Sequence, residues 1–111
     1  EFNCEINLIK GSSTDLEIKE KIKKLGIFDL IYIDGCHDYE CVISDINLVK
    51  EISDVNTYVV VDDSSCFKNL SEYHFKGHID VCNAVKDVLE NDDSFVEILC
   101  VGHNRVFKKI K

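Results

Sequence analysis

Two apolar runs, each ending in aspartate, constrain this chain more than any other feature. The first is Phe28-Asp29-Leu30-Ile31-Tyr32-Ile33-Asp34, which breaks at Gly35-Cys36-His37-Asp38-Tyr39. The second is Thr57-Tyr58-Val59-Val60-Val61-Asp62-Asp63, whose first acid follows Asp34 by 28 residues. Continuous runs of branched and aromatic residues predict strands buried on both faces. Between them, Tyr39 to Ile52 carries Val42, Ile46 and Val49 at helical spacing, a stripe widened by Ile43 and Leu48. A strand, a helix and a second such strand make a parallel pair joined by a right-handed crossover.

The flanks extend this unit. Cys4 to Ile9 alternates apolar with polar residues and stops at Lys10-Gly11-Ser12-Ser13, predicting an additional first strand and a turn. Thr14 with Glu17 has the spacing of a capping box. The helix it would open turns Ile18, Ile22 and Leu25 inward, leaves Lys19, Lys21, Lys23 and Lys24 as a solvated face, and stops at Gly26. Residues 64–77 are polar with scattered Phe67, Tyr73 and Phe75, and predict a long loop with a short turn of helix. Ile79 to Asn91 predicts a helix burying Val81, Ala84, Val85, Val88 and Leu89. Phe95–Val101 and Arg105–Ile110 predict two strands, joined through Gly102-His103-Asn104 as an antiparallel hairpin. The expected fold is one α/β domain over residues 1–111. Its sheet is mostly parallel, with helices on its faces and the antiparallel hairpin at the C-terminus.

The 21 acidic and 13 basic residues give a net charge of −8. That surface repels phosphate backbones and anionic membranes, so nucleic-acid and membrane partners are not expected. No stretch reaches the roughly 18 apolar residues of a membrane span, and no signal peptide is visible. Six cysteines occur without a CxxC pair, and Cys82 and Cys100 sit within apolar segments. They read as free thiols in a reducing compartment, hence a cytoplasmic protein. The rival reading, a secreted disulfide framework, sits poorly with a regular β/α pattern.

Ligands of open parallel sheets bind beyond the carboxyl ends of the strands. Asp34 and Asp62 hold that position on strands expected to be neighbours, about 4.8 Å apart, and Asp63 turns in from the loop. Acids so close repel unless a cation lies among them, and an oxygen-only donor set suits Mg²⁺. Either aspartate alone would read as a turn or cap residue; the repetition favours a metal or ligand site. His37 could act as a general base or orient a substrate oxygen, or be an exposed loop histidine. His74, His78 and His103 have weaker cases, and His74 with His78 lacks the HExxH glutamate. Gly11, Ser12 and Ser13 follow the first predicted strand at the same sheet edge, where they could touch a cofactor or form only a turn.

These motifs carry a resemblance. Phe-Asp-Leu-Ile-Tyr-Ile-Asp-Gly-x-His-x-Tyr, a helix with Asp45, Val-Val-Val-Asp-Asp and Val-Cys-Asn-Ala-Val-Lys-Asp together resemble the C-terminal half of class I S-adenosylmethionine-dependent methyltransferases. The likeness is greatest to small-molecule O-methyltransferases of the macrocin and cephalosporin-hydroxylase-like group, and covers nearly the whole chain. It implies a partial Rossmann-like fold and Mg²⁺-assisted methyl transfer from S-adenosylmethionine to a small-molecule hydroxyl. Asp34, Asp62 and Asp63 would hold the metal, which would lower the pKa of the acceptor hydroxyl for in-line attack. His37 would be the base or an orienting group. Gly11, Ser12, Ser13 and Asp34 would face the cofactor. Cys36 replaces an acid that many relatives carry.

The family's glycine-rich loop, and the acid that holds the ribose, have no counterpart in these residues. They are expected upstream of Glu1, making the chain the C-terminal part of a longer methyltransferase domain that alone binds the cofactor weakly or not at all. A homo-oligomer is compatible with this reading. The alternative is a non-catalytic α/β module, or a degenerate methyltransferase fragment, that serves in protein contacts.

Overall fold

A computed structural model describes residues 3–71 and 74–111. Tyr73, one of the predicted loop aromatics, lies outside the described residues. Helix α1 (Leu16–Lys23) precedes strand β1 (Leu30–Ile33), helix α2 (Tyr39–Glu51) and strand β2 (Tyr58–Val61). Helix α3 (Ile79–Ala84) continues as a π-helical segment, Val85–Glu90, and the chain closes on strands β3 (Phe95–Val101) and β4 (Asn104–Lys109).

The sheet order is β1-β2-β4-β3. The β1/β2 pair is parallel, with Ile33 opposite Val61, as the repeated runs require. The β2/β4 and β4/β3 pairs are antiparallel. The sheet is therefore mixed, which corrects the expectation of a mostly parallel one. Three strands share a direction, but reversed β4 lies between β2 and β3 and makes two of the three pairings antiparallel. The predicted strand Cys4–Ile9 does not form. A strand needs a backbone partner, and this segment joins no edge; Ile6 and Leu8 stand 85% and 92% exposed.

Alternation decides what β1 and β2 bury. Ile33, Val59, Val61 and Phe107 face α2, α3 and the π-helical segment, whose Val42, Ile46, Val81, Val85 and Leu89 complete the core. On the opposite face Leu30, Tyr32, Tyr58 and Val96 are exposed. Burial on both faces of these strands and helices on both faces of the sheet are thus corrected: among the described residues, helices cover one face.

Helix α1 opens at Asp15 without a side-chain cap, and the Thr14 hydroxyl pairs with that of Ser12 instead, so the expected capping box is absent. Residues 64–71 and 74–77 form the expected long loop, with turns and no helical turn among the described residues. The hairpin turn is shorter than expected, because Asn104 already belongs to β4.

Candidate active site

The parallel pair fixes the first two acids. The Asp62 N–H donates to the Ile33 carbonyl at 3.0 Å, extending the ladder one residue past both strands. Asp34 and Asp62 thereby leave adjacent strand ends together. The Asp34 carboxyl is raised above its usual range, first by its hydrogen bond to Asp62, then by desolvation and the Asp62 charge; His37 and His103 oppose the rise. The next residue, Asp63, is buried and takes the left-handed conformation at φ 55.

Three histidines converge on these acids. His37, in the loop before α2, places Nε2 3.0 Å from Asp63 Oδ2. His78, immediately before α3, reaches the same oxygen at 3.8 Å and stacks on His37 with ring centroids 3.9 Å apart. His103, in the hairpin turn, puts Nε2 3.1 Å from Asp62 Oδ1 and 3.9 Å from Asp63 Oδ1. Asp63 thus turns one oxygen to His37 and His78 and the other toward His103. Asp34 belongs to neither ligand-capable group, His37/Asp63/His78 or Asp62/Asp63/His103, in each of which one donor atom per residue lies within 4.8 Å of the others.

A second thread holds this arrangement. His78 N–H donates to the Asp63 carbonyl at 3.0 Å, and Ser64 N–H to the His103 carbonyl at 2.8 Å. Ser64 also bridges to Gly77, whose backbone lies against Asp63. His78 and His103 were the residues that sequence reasoning undervalued. The available signal was directional: β3 runs parallel to β2, so its following turn must emerge at the same sheet edge as Asp62.

The predicted cofactor residues divide. Ser13 and Asp34 line a groove of about 400 Å³ with Tyr32, Gly35, Asp45 and Val49; Gly11 and Ser12 are not among its lining residues. Asp45 Oδ1 is buried without a hydrogen-bond partner, an acceptor that suits a ligand's amino or hydroxyl donors. Beside the groove, Cys36, Asp38 and Cys41 form a further ligand-capable group. The Cys41 thiol is pushed up to about 11 by its hydrogen bond with Cys36 and by burial. All six cysteines are free thiols.

A family model described as a methyltransferase domain matches residues 3–64, the segment that carries Asp34, His37, Asp62 and Asp63. The chain belongs to this methyltransferase domain family. No curated protein matches it. Among solved structures, the methyltransferase domain resembles a Klebsiella pneumoniae protein named as a putative O-methyltransferase, with a TM-score of 0.56 and 15% identity. The match covers 86% of this chain and 46% of that one, so the chain spans about half of its structural relative. At that identity the likeness is one of fold. No helix among the described residues is long and apolar enough to cross a membrane.

Proposed function

We propose that this methyltransferase domain carries the acceptor-facing side of an S-adenosylmethionine-dependent O-methyltransferase acting on a small hydroxylated molecule. The reading extends to an enzyme of the macrocin and cephalosporin-hydroxylase-like kind. The reading includes a cytoplasmic setting. The observation that carries it is the convergence of Asp34, Asp62, Asp63 and His37 at the carboxyl ends of one parallel strand pair, beside the groove.

The donors suit a divalent cation. Asp62 Oδ1 is buried without a hydrogen bond, and no lysine or arginine pairs with Asp34, Asp62 or Asp63 among the described residues. Asp62 and Asp63 would hold the ion with Asp34 beside them. Bound there, it would supply Lewis-acid polarisation of the acceptor oxygen, while S-adenosylmethionine would supply the electrophilic methyl. With Nε2 turned to Asp63, His37 presents Nδ1 as the nitrogen that takes the acceptor's proton. Asp63 fixes that orientation and the His78 ring backs it. Asp34, Ser13 and Asp45 offer polar contacts to the cofactor along the groove.

The test is thermal unfolding with and without a divalent cation. The wild-type chain is expected to gain stability as the cation is added, by mass action on the folded state. The Asp34→Ala, Asp62→Ala double variant is expected to lose that gain. A gain of equal size in the double variant would remove the acids from the site.

A further inference from the structure

The geometry points to His103 as a metal ligand. In the hairpin turn it completes a nitrogen–oxygen centre with Asp62 and Asp63, which selects an imidazole-preferring first-row ion of the Zn²⁺ or Co²⁺ class over Mg²⁺. This rests on the proposal above that the aspartates hold a cation, and His103 itself lies outside the residues 3–64 matched by the family model.

Three observations carry it. The first is spacing. His103 Nε2 stands 3.1 Å from Asp62 Oδ1 and 3.9 Å from Asp63 Oδ1. Nitrogen and oxygen ligands bind such ions at about 2.0–2.2 Å, so neighbouring donors in one shell lie roughly 3–3.5 Å apart. The Asp62 spacing of 3.1 Å falls within that range, and the Asp63 spacing of 3.9 Å lies just beyond it. The second is alignment. Despite the 3.1 Å approach, Asp62 Oδ1 is buried with no hydrogen bond. The two atoms make a close histidine–carboxylate contact without hydrogen-bond alignment, as two ligand atoms directed at a common point would. The third is anchorage. Gly102, at φ +57, lets the two-residue turn close, and the Ser64 N–H to His103 carbonyl bond pins that turn beside Asp63. The His103 backbone is thus fixed beside the acids, and its ring lies 5.5 Å from that of Phe75, which contributes to the preorganisation a ligand needs.

The ion class follows from the donors. Mg²⁺ takes oxygen almost exclusively and keeps several waters, whereas imidazole suits Zn²⁺, Fe²⁺ and Ni²⁺. His37 and His78 face the other oxygen of Asp63, so they orient that carboxylate and remain available for proton transfer.

The experiment is calorimetric titration of the chain with Co²⁺ and separately with Mg²⁺, alongside the visible absorption of bound Co²⁺. His103→Asn keeps a residue compatible with the turn, and circular dichroism verifies its fold; His103→Ala serves as a second variant. One Co²⁺ per chain is expected, with a spectrum distinct from the aquo ion. Both variants are expected to weaken Co²⁺ by roughly 10–100-fold and to leave Mg²⁺ affinity unchanged. If Mg²⁺ binds through the acids while the His103 variants bind Co²⁺ like wild type, the ligand assignment is overturned and the acidic site survives. If the wild-type chain binds neither ion, both fall.

Discussion

At Gly77 the backbone sits at φ +118, and a Cβ there would lie 1.9 Å from the Asp63 carbonyl oxygen. No side chain can bend away from such a contact, because the obstacle is backbone. Gly77→Ala should therefore cost at least about 1–3 kcal/mol and lower the melting temperature by several degrees, read by thermal denaturation. It should also separate His78 from His37, since the Ser64–Gly77 bridge and the His78–Asp63 bond hold that segment down. Arg105 is a second decisive residue. It is 1% exposed and gives Glu97 a two-pronged bond, Nε to Oε1 at 3.1 Å and Nη2 to Oε2 at 2.8 Å, while Nη2 also meets Glu90. Lys68 supports Glu97 at 2.6 Å. Removing one member of a buried ionic network leaves the others uncompensated, so Arg105→Ala should cost about 3–5 kcal/mol in urea denaturation. The position looked like an ordinary strand residue because its partners, Glu90 and Glu97, become neighbours only after the hairpin folds against the π-helical segment.

Between elements, Lys50 ties the last turn of α2 to the far end of the π-helical segment. Its ammonium reaches Asp92 at 2.7 Å and the Val88 carbonyl at 3.0 Å. The Asp92 carboxyl is lowered to about 2 by that lysine and by the Ser94 N–H. A depressed folded value stabilises the protein above the ordinary value of 3.8 and loses its effect as pH falls from there toward 2. Asp92→Asn should therefore cost on the order of 1 kcal/mol at pH 6, allowing for solvent screening, and should converge on wild type near pH 2, measured by denaturant midpoints at both pH values. Helix α2 and the β1/β2 pair follow from periodicities contained within each segment, so Asp34 and Asp62 could be placed side by side. Cys4–Ile9 has strand periodicity, but a strand exists only where another backbone accepts it. Local pattern likewise says nothing of which edge a hairpin joins; placing β4 against β2 changed the sheet from mostly parallel to mixed and carried His103 to the acids. The winding change at Val85 leaves no mark in the apolar stripe, because Val81, Val85 and Leu89 are buried on either side of it.

For the molecule as a whole, the arrangement is one-sided. Asp62 and Asp63 are largely covered where loops from four places in the chain meet, with the three half-exposed histidines around them, whereas the groove lined by Ser13, Asp34 and Asp45 lies along β1, whose Leu30 and Tyr32 are 63% and 55% exposed. Small-molecule sites that bind tightly bury about 70–90% of the ligand. A groove laid along one edge strand and α2, with Ser13, Ile22 of α1 and Phe28 at its margin, encloses much less of a cofactor. It offers Asp45 Oδ1 as a buried acceptor, which gives orientation, and an apolar floor that includes Ile31, Leu48 and Val49, but its solvent-open side leaves much of a ligand's surface in water. The chain of 111 residues should therefore bind S-adenosylmethionine with a Kd weaker than about 100 μM, a free energy smaller than roughly 5.5 kcal/mol. Asp45→Ala should weaken that residual binding further by leaving the ligand's donor groups unmatched. Calorimetric titration of both chains decides the matter. Micromolar binding by the wild-type chain would mean that β1, α2 and the loop at Ser13 suffice to enclose the cofactor, and unchanged binding by Asp45→Ala would place it elsewhere than this groove.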